Sequence, residues 1–308
     1  MASLSKRNAA LAGAAAVGAL AVGAARRRRR AHPPLATLAG GSYSKLETSD
    51  GAVLNVHIAG DGPTVVLPHC WTGDMRVWEP VAAGLVARGH TVVRYDQRGH
   101  GSSTVGAQGY VVERLGDDLH ELLQHIDGHD VVVAGHSMGG MTAQSFAVRH
   151  HDELRARVKA LFLVSTASGN LTTLPLSRAL PLVVGSAPVE RALRAPGGAA
   201  LLRGALGKNA NPYAVALTRD TFVNTPAEVR LGQGLALLEL DFLEARKSID
   251  VPTTVVVGTR DTVTPPHLSQ DMAAAIPGAR LVTVPGAGHM LPLEATELLV
   301  DLMSEAAA

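Results

Sequence analysis

Six short apolar, β-branched runs recur along the chain: Thr64–Pro68, Thr91–Tyr95, Val131–Ala134, Ala160–Val164, Thr253–Val257 and Arg280–Val284. Each has the length and residue types of a strand, and most are too uniformly apolar to show one face to water. Between them the apolar positions fall at helical spacing. This predicts helices near Val77–Arg88, Val111–Ile126, Met138–His150, Pro266–Ala275 and Leu293–Glu305. Strands that alternate with helices need crossover connections, hence parallel strands with helices on both faces. Ahead of the series, Ser42–Glu47 and Val53–Ala59 flank Ser49-Asp50-Gly51 and predict an opening β-hairpin. The expected fold is α/β, a mostly parallel doubly wound sheet of about eight strands.

The alternation fails from Ala167 to Lys247. This stretch is rich in Leu, Ala, Gly and Arg and is punctuated by Pro175, Pro181, Pro188, Pro196, Pro212 and Pro226. A structureless loop of that length is improbable inside a compact domain, so it reads as a helical cap inserted between two strands. The expected organisation is a leader over 1–40, core over 41–166, cap over 167–247 and core again over 248–308. Leu171, Leu174, Leu176, Leu180, Leu182, Phe222, Leu235 and Phe242 are either the lining of an apolar pocket or the cap's own core.

Chemistry enters at Gly135-His136-Ser137-Met138-Gly139, which lies directly behind one predicted strand and ahead of a predicted helix. G-x-S-x-G gains meaning in this context, because the strand–turn–helix lifts the serine above the sheet edge and over the helix N-terminus. A base candidate, His289, follows Arg280–Val284 on a Gly/Pro-rich loop. An acid candidate, Asp261, follows Thr253–Val257, just ahead of a helix opened by Pro265 and Pro266. Asp261 also stands where a capping residue for that helix would stand. The order is Ser, Asp, His, each near the C-terminal end of a strand, where open α/β sheets carry their reacting groups.

On these motifs the chain resembles the α/β-hydrolase superfamily, from about Ser42 to the last helix. Two further segments are similar to that family. Val65-Val66-Leu67-Pro68-His69-Cys70-Trp71 looks like its strand and oxyanion turn, with Cys70 where glycine is usual. Asp96-Gln97-Arg98-Gly99-His100-Gly101-Ser102-Ser103 looks like its D-x-R-G-x-G-x-S turn. The residue after the nucleophile, Met138, is expected to supply one oxyanion N–H, and the resemblance assigns the second to Trp71. His69 is expected to support that turn, and His100 and His136 to orient turns.

The resemblance implies a serine hydrolase of carboxylic esters, small or lipid-like, working through an acyl-enzyme on Ser137. His289 would take and return the proton, and Asp261 would fix the imidazole tautomer. Acyl transfer, perhydrolase or haloperoxidase-like chemistry, and C–C or amide hydrolysis remain on the same triad, as does a receptor that retains it. Serine at the elbow argues against dehalogenases and epoxide hydrolases, which use aspartate there. The histidines lack metal spacing such as H-E-x-x-H, so neither metal nor cofactor is expected.

Composition changes this picture at one end only. A single cysteine rules out an intrachain disulfide framework. The net charge of +1 conceals seven basic and no acidic residues in 1–30, leaving 21 basic against 27 acidic residues elsewhere. Ala9 to Ala25 is an uncharged run of 17 residues ahead of the block Arg26–Arg30. It sits at the lower limit for a membrane span and is only weakly apolar. Anchoring or peripheral membrane contact on the cytoplasmic side, and a basic leader without such contact, both fit. Nucleic acid is not an expected partner, because no aromatic residues interleave the arginines.

Overall fold

Strand β5 (Val131–His136) shows how the sequence builds the core. Its side chains alternate, so Val131 and Val133 enter one apolar cluster while Val132 and Ala134 enter another on the opposite face. All four are fully buried, which explains a run with no polar alternation. The remaining strands are β1 (Ser42–Glu47), β2 (Val53–Ala59), β3 (Thr64–Pro68), β4 (Thr91–Asp96), β6 (Val158–Val164), β7 (Thr253–Gly258) and β8 (Arg280–Val284). In this computed structural model, which describes residues 38–174, 177–208 and 210–308, they form one sheet in the order β1-β2-β4-β3-β5-β6-β7-β8. β2 pairs antiparallel with both β1 and β4, and every other pairing is parallel. The apolar run 9–25, the arginine block and Leu176 lie outside the described residues.

Helices cover both faces. α1 (Glu79–Ala87) and the last helix (Thr296–Ala307) cover one; α2 (Val112–His125) and α3 (Met138–Arg149) cover the other. In α2 the buried residues Val112, Leu115, Leu119, Leu122 and Leu123 recur at three- and four-residue steps, the apolar stripe that marked it in the sequence. Burying each such leucine contributes about 1.5–3 kcal/mol.

Three helix boundaries differ from the sequence expectation. The first helix opens as a 3₁₀ turn, Met75–Trp78, capped by Asp74, whose carboxylate accepts Arg76 N–H at 2.9 Å. Beyond α3 a short helix, α4 (His151–Arg157), runs up to β6. The C-terminal helix breaks at Ala295, leaving a separate turn at Leu291–Glu294.

The segment between β6 and β7 holds α5 (Leu180–Val184), α6 (Ala187–Arg194), α7 (Pro212–Asn224) and α8 (Ala227–Leu238), joined by 3₁₀ turns. Its prolines set the helix starts: Pro181, Pro188 and Pro212 lie in first turns and Pro226 at an N-cap. The insert rests on loops at the C-terminal ends of the strands. Gln233 Nε2 donates to Tyr110 O at 2.9 Å, and Leu237 packs in one cluster with Met138.

A buried ionic cluster fixes one of those loops. Arg98, fully buried, donates to Asp118 at 2.7 and 2.8 Å and to Asp50 at 3.0 and 3.1 Å. Asp118→Ala leaves Arg98 paired with Asp50 but strands buried guanidinium N–H groups, and is expected to cost about 1–3 kcal/mol of stability. Urea unfolding of wild type and variant checks this; a loss below about 1 kcal/mol would mean that Asp50 alone satisfies Arg98.

Candidate active site

Between β5 and α3 the chain reverses within one residue, and Ser137 takes φ 54° and ψ −116°. That conformation is rare outside glycine and stores strain. Its neighbours must be glycines, because a Cβ on Gly135 would lie 2.1 Å from Gly139 O, and one on Gly139 the same distance from Pro68 O. Ser137 N–H donates to Val164 O at 2.9 Å, and Ser137 O accepts from Thr166 Oγ1 at 2.7 Å. Ser137 as a whole is 7% exposed.

Asp261 and His289 come together from separate loops. His289 Nδ1–H donates to Asp261 Oδ2 at 2.9 Å, which leaves Nε2 as the ring nitrogen that can take a proton. The other carboxylate oxygen, Oδ1, accepts Val263 and Thr264 N–H, both at 2.9 Å, and Thr264 Oγ1 donates to Oδ2 at 3.0 Å. Asp261 therefore caps its own turn and bonds the imidazole, while the helix behind it, Pro266–Ala275, starts at Pro265 with no side-chain cap, so the helix-cap alternative is not realised. Burial alone would raise its pKa; the His289 imidazole and the Thr264 and Val263 N–H groups outweigh this and hold the carboxyl below its ordinary range. His136, next to Ser137, donates from Nε2 to His289 O at 2.8 Å, with ring centroids 5.1 Å apart. The base-candidate loop is therefore pinned to the serine turn. Of the other aspartates flanking β7, Asp250 pairs with Arg155 and Asp271 is exposed on the helix that follows.

The turn after β3 packs on the first residues of α3, since Gly139 lies against Pro68 O and His69 O. This brings the backbones of Trp71 and Met138 to the same end of the sheet as Ser137. His69 is buried and neutral: Nε2 accepts Gln97 N–H at 2.9 Å and Nδ1–H donates to Cys70 O at 2.8 Å. Cys70 needs no left-handed backbone, for the positive φ of this turn (60°) falls on Thr72. Burial pushes the Cys70 thiol up to about 12, so it stays protonated and unreactive. His100 accepts Thr72 N–H at 3.2 Å through Nε2.

Two residues that the sequence did not single out complete the turn. Gln97 Nε2 donates to His69 O, and Thr142 Oγ1 donates to Gln97 Oε1 at 2.6 Å, tying α3 to the His69 turn. Gln97 lies inside the D-x-R-G-x-G-x-S segment, which was the available signal. Of the expected pocket residues, Leu171 and Phe242 are buried with Met138 and Met141, and Leu174 packs at that cluster's margin. Phe222 belongs to the insert's own core with Val184 and Leu193. Leu180, Leu182 and Leu235 are 45%, 60% and 43% exposed; α5 is too short to bury more than Pro181 and Val184.

Residues 63–296 match the family described as alpha/beta hydrolase fold. The chain belongs to that family. Within it, the chain is similar to a non-heme haloperoxidase of Rhodococcus erythropolis, 27% identical over 280 residues that cover 83% of this chain and 96% of that protein. Its structure is similar to an esterase from Exiguobacterium antarcticum, with TM-score 0.77, 22% identity, and coverage of 86% of this chain and 99% of that one. It is also similar to the enol-lactonase from Burkholderia xenovorans, with TM-score 0.72, 25% identity and coverage of 85% and 99%. The esterase likeness speaks for the fold alone. This alpha/beta hydrolase has the eight-stranded, mostly parallel sheet that the sequence pattern implied.

The site's histidines make it acid-sensitive. Burial lowers His100 and His136 from 6.5 to about 3, each further depressed by a neighbouring imidazole, and burial also lowers His69. The unfolded chain protonates these rings near 6.5 while the fold keeps them neutral. Stability that is complete above that pH is lost as pH falls toward the folded values, at about 1.4 kcal/mol per pH unit for each ring. Thermal unfolding at pH values from about 7.5 down to about 5 should show a falling midpoint, with a shallower fall in His100→Asn. A flat midpoint across that window contradicts this account.

Proposed function

We propose that this alpha/beta hydrolase cleaves carboxylic esters through an acyl-enzyme on Ser137. The observation that carries the reading is the 2.9 Å bond from His289 Nδ1–H to Asp261 Oδ2, on a loop that His136 fastens to the serine turn. The Ser137 hydroxyl oxygen attacks the ester carbonyl carbon while its proton passes to His289 Nε2. Asp261 stays ionised and stabilises the imidazolium. Met138 and Trp71 N–H groups receive the carbonyl oxygen as it becomes an oxyanion, and losing one such donor typically costs about 10²–10³ in rate. His289 returns the proton to the departing alcohol, and water then hydrolyses the acyl-enzyme by the same relay.

The insert over 167–247 acts in this reading as a cap. Met138, Met141, Leu171, Leu237, Leu240 and Phe242 form one apolar cluster beside the serine turn, which suits an apolar acyl group. A second reading is favoured by the haloperoxidase relative: hydrogen peroxide replaces water at deacylation, giving a peracid and free Ser137.

A panel of p-nitrophenyl esters of graded acyl length, run on wild type and Ser137→Ala, tests both. Wild type should turn over the shorter or medium esters and be labelled at Ser137 by an organophosphonate. The variant should lose on the order of 10³–10⁶ in kcat. Equal rates in the two proteins sink the nucleophile assignment. Added hydrogen peroxide should divert the acyl group to peracid only under the second reading.

Among the described residues no helix is long and apolar enough to cross a membrane. Membrane contact through residues 1–30, with the catalytic body on the cytoplasmic side, belongs to the same proposal and rests on their seven basic residues and adjoining apolar run. Deleting 1–30 should leave ester turnover intact and move the protein from membrane to soluble fractions. Unchanged fractionation removes this part of the proposal.

A further inference from the structure

The backbone around His289 is committed on every side. Gly288 N–H donates to Glu294 Oε2 and Met290 N–H to Glu294 Oε1, both at 3.0 Å, so one carboxylate brackets the imidazole-bearing residue. His289 N–H itself donates at 2.8 Å to Ala205 O, in the insert. Glu294 Oε2 also accepts Gly207 N–H, two residues further along the insert, at 2.6 Å. Thr262, beside Asp261, donates from Oγ1 to Gly204 O at 2.9 Å. Insert residues 204–207 therefore lie backbone to backbone against the His289 loop and meet the Asp261 loop through the Thr262 hydroxyl. The glycines are what permit it: a Cβ on Gly207 would lie 2.4 Å from Gly286 O and 2.6 Å from Glu294 Oε2. One on Gly288 would lie 2.5 Å from Gly207 N.

We infer that Glu294 is the positioning residue of the proposed base. Its carboxylate sets where His289 stands relative to Asp261 and fastens the insert to the same loop, so the insert and the imidazole are placed together. A carboxylate suits the task because it only accepts and has lone pairs enough for three N–H groups. Such charge-assisted bonds to backbone N–H are stronger than neutral ones. The catalytic consequence rests on the proposed function, whereas the placement of the ring does not.

The test reads the ring directly. In ¹⁵N-labelled protein, the His289 Nδ1 proton shared with Asp261 is expected at low field and is identified by its loss in His289→Asn. Two variants perturb the contact by different means. Glu294→Gln replaces one acceptor oxygen by an NH₂ donor, and Gly207→Ala forces the insert off the loop with no change of charge. In each, that proton should exchange with solvent at least about tenfold faster or broaden away, at a temperature well below the variant's own melting midpoint. For ester turnover, kcat should fall roughly tenfold to a hundredfold with little change in KM.

An unchanged His289 resonance in both variants overturns the inference, even where kcat falls with the folded fraction. Should Glu294→Gln fail to fold, Gly207→Ala decides alone by the same resonance. A wild type that turns over no ester removes the proposed reaction, and the resonance still decides the role of Glu294.

Discussion

The turn from β5 into α3 is so tight that a Cβ on Gly135, Gly139 or Gly140 would overlap its neighbours, and Ser137 is left with a positive φ. Strain of that kind costs on the order of 1–3 kcal/mol and persists only where surrounding contacts over-determine it. Here they do. Ser137 N–H is taken by Val164 O, and its carbonyl accepts from Thr166 Oγ1 and from the Gly140 and Met141 N–H groups. Because Gly139 lies on Pro68 O, the same turn dictates where the β3 loop must run. The position of Trp71 is thus a consequence of the serine turn.

Neutral imidazoles hold the loops around that turn. His69 and His100 each join two backbone groups through their two ring nitrogens, and His136 donates through Nε2 to one carbonyl, that of His289. A ring that is neutral donates through one nitrogen and accepts through the other, so His69 can take Gln97 N–H and satisfy Cys70 O at once. An imidazolium donates from both and would leave an N–H facing an N–H. Burial enforces the neutral form, and so the polar scaffold and its desolvation are one device.

Much of this was legible in the residues, for identifiable reasons. All eight strands begin or end within two residues of their expected bounds, because each is a short β-branched run closed by turn residues. The candidate residues Trp71, Ser137, Asp261 and His289 follow β3, β5, β7 and β8, so reading the strands also placed these residues at one end of the sheet. What the sequence hid depends on contacts between distant segments. Glu294 reads as an ordinary helix residue until Gly207 is seen beside it, and Thr142 until Gln97 meets it. The insert's apolar residues carried no direction, since a five-residue helix such as α5 has too little periodicity to say which side faces inward. That is why Leu182 proves exposed while Leu171 is buried.

The polar contacts at the two edges of the insert are of different kinds. On the side of His289 the contacts are backbone hydrogen bonds in a nearly closed seam with Leu206, Met290 and Leu293 buried around it. On the side of the β3 loop, α7 is joined to Arg76 through Asp220 at 2.7 Å, with both side chains 41% exposed. An ion pair that open to water is worth about 0–1 kcal/mol and weakens with salt. Buried hydrogen bonds that leave orphan donors when broken cost about 1–3 kcal/mol each. Apolar packing is common to both edges, since Cys70 and Val77 are buried in the same cluster as Ala214 and Leu217 of α7 and as Leu206 and Met290, so the edges differ in their polar contacts and not in the core that seats the insert.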